Sequence, residues 1–248
     1  MTSRLRTTLF FIAVLLWATP AVFAGPDKDR TEIYLAAMGA RDIEHGQDTP
    51  LLLQVNIFNE LKPVSIGSKN KLLASLVRFE VKDSNGGEAK LTIRVLAESA
   101  DKKDAVNLKA DRVSLYFGVE PDALATLPKG VYRLQAFVNG ASSAPVTVKL
   151  RKTGPARDDT QGLYYRLDRR FDMLLAHAER MVGKDAGDPA GHIYMGDALA
   201  GLGRGRDALG AYDKALMIHK VRSKGAVLVE DPRYIKDRIE EILEKKVS

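Results

Sequence analysis

Cysteine is absent from all 248 residues of this chain. A protein without cysteine has no disulfide bonds, no thiol nucleophile and no thiolate metal site, so burial of apolar surface must stabilise it. The lipid anchor that bacterial lipoproteins attach to cysteine is excluded for the same reason. Tryptophan occurs only once, as Trp17. These absences favour a protein that folds around an ordinary hydrophobic core.

Long apolar runs are also missing, apart from TTLFFIAVLLWA near the start. This run follows the basic MTSRLR and precedes TPAVFA, which ends in small residues. The pattern predicts a signal peptide over residues 1–24, because the run is shorter than the ~20 residues that span a bilayer. We therefore expect export, with a periplasmic or secreted product that starts at Gly25 and has no transmembrane segment.

The charge of the chain is nearly balanced. Removing Arg4 and Arg6 with the predicted signal peptide leaves 36 basic and 32 acidic residues, a net charge of +4. Nucleic-acid-binding proteins concentrate basic residues in a stripe with interleaved aromatics, and no such stripe occurs here. The sequence therefore argues against a nucleic-acid partner.

Residues 31–151 contain short segments in which every second residue is apolar. Turn-forming stretches such as HGQDTP, DSNGG, PDALATLPKG and NGASS separate them. This pattern predicts an antiparallel β-sandwich, with DSNGG as the turn of a hairpin. The seven predicted strands are IYLAAMG, LLLQVNIFN, SLVRFEVKD, KLTIRVLAE, VSLYFGVE, GVYRLQAFV and PVTVKL.

The segment LPKGVYRL resembles the tyrosine corner of immunoglobulin-like and fibronectin-type sandwiches. The resemblance implies that Tyr132 hydrogen-bonds back to the backbone and that Gly130 makes the bend. Without cysteine, the disulfide of antibody domains cannot form. The expectation is an immunoglobulin-like sandwich of unspecified topology.

Residues 152–162 form a polar segment with glycine and proline that predicts a linker. Beyond it, residues 163–246 predict a helical domain. Apolar residues recur there at steps of three and four, which indicates one helix of about five turns. These residues are Leu163, Leu167, Phe171, Leu174, Leu175, Ala178, Met181 and Val182.

Residues 189–222 resemble a tetratricopeptide repeat, a 34-residue helix-turn-helix unit. His192 stands where tryptophan is usual and Lys220 where the closing proline is usual. Residues 163–183 are interpreted as the second helix of a degenerate preceding unit, and DPRYIKDRIEEILEKK as a capping helix with a polar outer face that opens at Asp-Pro. The matching residues are Met195, Gly196, Leu199, Ala208, Tyr212 and Ala215.

The same region contains Gly203-Arg-Gly205-Arg-Asp-Ala208, which has the G-x-G-x-x-A spelling of a dinucleotide-binding turn. Such a turn follows a strand and opens a helix. The preceding AGHIYMGDALA has helical composition and phase. A turn between two helices is therefore predicted instead of a phosphate site.

Catalytic patterns are not recognisable. The four histidines, His45, His177, His192 and His219, have no metal-pair spacing, and the G-x-S-x-G nucleophile motif is absent. Asp83, Asn85 and Glu88 resemble a calcium loop only faintly, since the full ligand series is missing. A non-enzymatic protein without cofactor or metal is predicted.

The fold class predicted is therefore multidomain, all-β followed by all-α: an immunoglobulin-like antiparallel sandwich, then a short tetratricopeptide-like helical hairpin array. The resemblance to repeat proteins implies a peptide-binding groove. The function predicted is therefore an adapter of the bacterial cell envelope that binds a protein or peptide. A strand edge of the sandwich is a further predicted binding site. Tyr164 and Tyr165, just after the linker, suit either an inter-domain contact or a partner contact. Helical phase predicts that the groove includes Tyr194, Asp197, Leu199, Gly201 and Arg204.

A carbohydrate- or cell-wall-polymer-binding accessory protein is the alternative. Such proteins stack sugars on exposed aromatic rings, and the chain beyond the predicted signal peptide has no tryptophan. Tyr116 and Tyr132 fall in phase with strand interiors. Under this alternative, Tyr34 is the aromatic residue on which a sugar would stack.

Overall fold

The computed structural model of this protein describes residues 32–37, 42–58, 73–98, 113–138, 140–154, 158–222 and 232–244. The predicted signal peptide lies outside these ranges. The described residues form strands and helices, so the content is mixed α/β. The strands are β1 (Glu32–Ala37), β2 (Asp42–Gly46), β3 (Leu51–Phe58), β4 (Arg78–Asp83), β5 (Arg94–Glu98), β6 (Val113–Val119), β7 (Gly130–Val138), β8 (Ala141–Ser142) and β9 (Val146–Arg151). The helices are α1 (Pro121–Ala125), α2 (Asp158–Leu167), α3 (Phe171–Lys184), α4 (Pro189–Gly201), α5 (Gly205–Arg222) and α6 (Pro232–Glu244), with a short 3-10 helix at Leu73–Leu76.

The strands form two sheets that share one hydrophobic core. One sheet has the order β1-β3-β6-β5, and the other has the order β2-β9-β7-β4, with β8 paired to β7. Apolar side chains at alternate positions of both sheets are buried together, as strand alternation requires. Phe79 and Phe117 meet edge to face across this core, with ring centroids 4.9 Å apart. All seven predicted strands are confirmed.

The expectation of purely antiparallel sheets was wrong. β2 was not predicted, and it pairs in parallel with β9, with Ile43 opposite Val148. β8 was missed because it has only two residues. Alternation of apolar residues indicates which side chains face the core, but it carries no information about strand direction.

The hairpin predicted at DSNGG is confirmed only in part. The turn itself forms, since the N–H of Asp83 donates to the carbonyl oxygen of Gly87 at 2.9 Å. However, β4 pairs with β7, whereas β5 pairs with β6 in the other sheet. The chain makes one bridge between Lys82 and Glu88 and then crosses between sheets.

The segment 163–182 is not the single helix that was predicted. α2 begins at Asp158, inside the predicted linker, and ends at Leu167, and α3 begins at Phe171. Arg169 in the intervening turn has a φ of 59°. Periodicity could not reveal this break, because the apolar steps continue across it.

α4 opens at Pro189, and Asp188 caps it by accepting a hydrogen bond from the N–H of Ala190 at 3.0 Å. Gly196 of α4 lies under the ring of Tyr212 of α5, so that a Cβ at Gly196 would come within 2.5 Å of that ring. The absence of a side chain therefore sets the close approach of the two helices. The predicted turn between α4 and α5, and a helix opening at Asp-Pro, are both confirmed.

α2 packs on the outer face of the β1-β3-β6-β5 sheet. Tyr164 is fully buried there, where it packs with the buried Leu52 and the partly buried Leu96 and Tyr116. Its ring lies against Gly118 of β6, where a Cβ would be 2.7 Å from Cε2 of Tyr164. A glycine on β6 thus leaves the space that an aromatic side chain of α2 fills.

A group of charged side chains surrounds the hydroxyl of Tyr164. The hydroxyl donates to Oε1 of Glu120 at 2.8 Å and accepts from Nη2 of Arg94 at 3.1 Å. Arg94 also pairs with Asp168, and Arg170 lies 2.5 Å from both Asp168 and Glu120. Burial and the neighbouring Glu120 raise the pKa of Tyr164 to about 12. These contacts join α2 and the α2–α3 turn to the strands.

Candidate functional site

A cleft of about 550 Å³ opens in the helical part of the protein. Its walls come from the α2–α3 turn, the start of α3, the α4–α5 turn and α6. The residues that line it are Arg169, Phe171, Ala200, Gly201, Gly203, Gly205, Arg238, Glu241 and Ile242. It therefore combines apolar and charged groups around a floor rich in glycine.

The glycine-rich floor is the end of a helix. Gly203 has a φ of 77°, and its N–H donates to the carbonyl of Ala200 at 3.1 Å. The N–H of Arg204 donates to the carbonyl of Leu199 at 2.8 Å. This pair of bonds is the Schellman motif, in which glycine takes the left-handed position just after a helix. The G-x-G-x-x-A spelling thus closes α4, and no strand precedes it.

Two residues of the α2–α3 turn and α3 form one wall. The ring of Phe171 lies on Gly201, where a Cβ would come within 2.4 Å of the ring. Arg169 repeats the Schellman geometry, since the N–H of Arg170 donates to the carbonyl of Tyr165 at 3.0 Å. Among the described residues, Arg169 is the one non-glycine with a positive φ. A left-handed conformation costs a non-glycine residue about 1 kcal/mol, so backbone strain is stored beside the cleft.

Behind the cleft lies the buried carboxylate of Asp197. Its Oδ1 accepts hydrogen bonds from the hydroxyls of Tyr212 at 2.6 Å and Tyr234 at 2.8 Å. Its Oδ2 accepts from Nη1 of Arg166 at 3.2 Å. Burial, followed by the negative charge of Asp197, raises the pKa of both tyrosines. The carboxylate therefore joins α2, α4, α5 and α6 at one point.

Arg238 connects this cluster to the cleft. Its Nε lies 3.8 Å from Oδ1 of Asp197, and its Nη1 pairs with Glu241 on the cleft wall. Arg166 also lies over the ring of Tyr234, with its guanidinium carbon 5.2 Å from the ring centroid. α6 is thus held against the rest of the helices by aromatic and charged contacts.

The residues predicted as partner contacts lie mostly inside the protein. Tyr164, Tyr165, Tyr194, Asp197 and Leu199 are each at most 7% exposed. Side chains that are buried to this extent pack against the fold and offer no surface to a partner in this conformation. Tyr164 in particular makes the contact with the strands.

Two of the predicted residues are exposed instead. Gly201 is one of them, and it lines the cleft. The other is Arg204. Its side chain is 54% exposed and pairs with Asp207, with Nη2 and Oδ2 2.8 Å apart. It sits in the α4–α5 turn, beside the glycines of the cleft. Its role as a partner contact stays a prediction.

Sequence patterns did not reveal the residues of the cleft wall. Arg238 and Glu241 lie in the segment that was predicted only as a capping helix, and Phe171 was predicted only as one of the recurring apolar residues of a helix. The unusual spelling around Gly203 was the one signal at this location. Nothing in the sequence indicates that α6, which follows residues 223–231, packs beside that turn.

The four histidines are buried separately. Nε2 of His177 donates to the carbonyl of Asp158 at 2.7 Å, and Nη2 of Arg180 donates to its Nδ1 at 3.0 Å. Burial is the main reason why the pKa of His177 lies below its ordinary value. Across the described ranges, no group of three or more histidine, aspartate or glutamate side chains could hold a metal ion.

No protein-family model and no curated protein sequence matches this chain. No helix within the described ranges has the length and apolar character needed to cross a bilayer.

Proposed function

We propose that this protein is a non-enzymatic adapter, exported to the bacterial cell envelope, that binds a protein or peptide in the cleft between α3, α4 and α6. The cleft itself is the observation that carries the proposal. Phe171 and Ile242 offer apolar contact, and Arg169, Arg238 and Glu241 offer ion pairs and hydrogen bonds. Such a mixture suits a peptide, whose side chains and backbone present both kinds of group.

Two features support an immunoglobulin-like sandwich as one half of this adapter. If the strands are lettered along the chain, with β1 and β2 as two parts of strand A and β8 left out, the sheets have the orders A-B-E-D and A-G-F-C. The constant-type immunoglobulin domain has ABED and CFG sheets. The hydroxyl of Tyr132 also donates to the carbonyl of Pro128 at 2.7 Å, the bond that a tyrosine corner makes.

The packing of α4 on α5 supports the tetratricopeptide-like half. In the resemblance, Gly196 and Tyr212 are matched to the repeat, and these two residues are in direct contact. Ala208 and Ala215, also matched, are fully buried. Repeat proteins of this kind act as binding scaffolds, which is why the resemblance favours an adapter.

Site-specific photo-crosslinking tests the proposal. A crosslinking amino acid at Glu241, on the cleft wall, should capture a partner in intact cells. The same amino acid at Met217, which is 69% exposed on α5 and outside the cleft lining, is the matched control. Equal yields at both positions, or no product at Glu241, would refute the cleft as the binding site.

The substitution Arg169→Gly should affect partner binding and protein stability in opposite directions. Glycine accepts the left-handed conformation at this position, so the variant should unfold at a temperature higher by about 2–4 °C, the shift that ~1 kcal/mol gives in a protein of this size. It also removes one of the two cleft cations and should lower the crosslinking yield at Glu241. A stabilised variant with an undiminished yield would exclude Arg169 from recognition.

A further inference from the structure

The outer face of the β1-β3-β6-β5 sheet is only partly covered by α2. The covered part contains Leu52, Leu96 and Gly118, which pack with or against Tyr164. Further along the same face, Tyr34 is 46% exposed. The part of this face that α2 does not cover therefore includes a half-exposed aromatic ring.

Polar side chains adjoin this ring in register. Tyr34 of β1 lies opposite Asn56 of β3, and Asn56 lies opposite Ser114 of β6. In the adjacent row, Gln54 lies opposite Tyr116. Side chains directly opposite one another in a sheet have Cβ atoms about 5 Å apart, so the five form one continuous patch.

Tyr116 was expected to face the strand interior, and this was wrong. In VSLYFGV, residues of both parities are apolar or small, so the sequence does not indicate which set faces the core. Leu115, Phe117 and Val119 are the buried set. Tyr116 therefore joins the outer patch, where its ring borders the surface covered by α2.

Hydrogen bonds fix the side chains of the patch. Nε2 of Gln54 donates to Oδ1 of Asn56 at 3.2 Å and to the hydroxyl of Tyr116 at 3.4 Å. The hydroxyl of Ser114 donates to the same Oδ1 at 2.7 Å. The hydrogen bonds among the described residues use neither Nδ2 of Asn56 nor Oε1 of Gln54. One donor and one acceptor thus remain for a ligand on side chains that are already held in place.

We propose that this patch, formed by Tyr34, Gln54, Asn56, Ser114 and Tyr116, binds a neutral glycan. A sugar ring presents C–H groups to the face of an aromatic ring and hydroxyls to amide and hydroxyl groups at its edge. None of the five side chains carries a charge. The nearest described cation on this face, Arg94, is engaged by Glu120 and Asp168. Among the described residues of this face, a polyanion would therefore find no unengaged counter-charge, whereas an uncharged polyhydroxylated chain finds matching partners.

The proposal is independent of the cleft, which lies on the helices, so each can fail without the other. The test uses the exported protein with three probes: chitohexaose, cellohexaose and, as the charged comparison, dextran sulfate. Binding is measured by calorimetry, and the side-chain amide signals of Asn56 and Gln54 are followed by NMR. A neutral hexasaccharide should bind and shift both amide signals.

Tyr34→Ala should weaken that binding about tenfold or more, because an anchoring aromatic ring is lost. The side chain is exposed, so the fold should remain intact. Val131→Ala, an exposed strand position on the other sheet, is the control and should leave affinity unchanged. The proposal is overturned if neither neutral probe binds, if Tyr34→Ala binds as well as the parent protein, or if dextran sulfate binds more tightly.

Discussion

Gly118→Ala tests whether the strands and helices are docked as one packed unit. The added Cβ would lie 2.7 Å from Cε2 and 3.0 Å from the hydroxyl of Tyr164, and 3.0 Å from Cδ2 of Leu96. Carbon atoms at their best separation are about 3.5–4.0 Å apart, so a shift of nearly 1 Å is needed. Tyr164 cannot yield easily, because it is fully buried and its hydroxyl is bonded to Glu120 and Arg94.

Overpacking of this kind costs about 1–3 kcal/mol. In a protein of this size, each kcal/mol lowers the melting temperature by about 2–4 °C, so we expect a decrease of roughly 2–12 °C in thermal unfolding followed by circular dichroism. Gly183→Ala in α3 is the matched control, since nothing lies within 4 Å of its Cβ position. That substitution should be neutral or stabilise by about 0.5–1 kcal/mol, because alanine favours helix.

A double-mutant cycle tests whether contact with the Tyr164 ring causes the loss of stability. If the Tyr164 ring causes the loss, then Gly118→Ala should cost little in a Tyr164→Leu background, and the two effects should be non-additive. Additive losses would show that the penalty arises elsewhere. An unchanged melting temperature for Gly118→Ala alone would show that α2 moves freely on the sheet.

The remaining predictions concern buried ionisable groups. Asp197→Asn should lower the free energy of unfolding in urea by about 3–5 kcal/mol, because it leaves two arginines facing a neutral amide inside the protein. Asp207→Asn, which breaks the exposed pair with Arg204, should cost at most about 1 kcal/mol, and equal losses would contradict this account. Because the folded-state pKa of Tyr164 is raised to about 12 from an ordinary value of 10, its contribution is fully present below pH 10 and is lost as the pH rises towards about 12. Stability measured over that interval should fall with pH, and Tyr164→Phe should flatten the slope; an unchanged slope would contradict the assignment.

The strands were predictable because burial of one face makes every second residue apolar, and this pattern is visible in the sequence without knowledge of which strands are neighbours. The contact between Gly196 and Tyr212 was predictable from the resemblance to a repeat, since both residues fall within one contiguous repeat-like segment. Strand direction and partner choice were not, because β4 pairs with β7 across two intervening strands and β2 pairs in parallel with β9 at the other end of the strand region. The predicted hairpin failed at this point, although its turn was correct.

The cleft could not be predicted for a related physical reason. Helical phase identifies an exposed face from its polar residues, but α4 consists mostly of small or apolar residues, and its polar residues His192 and Asp197 are buried. Phase therefore assigned Tyr194, Asp197 and Leu199 to an open groove, whereas α2, α5 and α6 cover them. A residue such as Asp197 is polar because it is bonded within the fold, and sequence alone does not separate that reason from exposure.

α2 connects the two regions for which we propose binding sites. Tyr164 on one side fills the space above Gly118 and borders the sheet face where Tyr116 lies. Arg166 on the other side bonds to Asp197, whose partner Arg238 reaches the cleft wall. α2, which is about three turns long, thus touches both regions through packed and hydrogen-bonded contacts and sets the separation of the sheet face and the cleft. A glycan and a protein partner bound at these two sites would therefore be held in a fixed relative position, which is the arrangement that an envelope adapter requires.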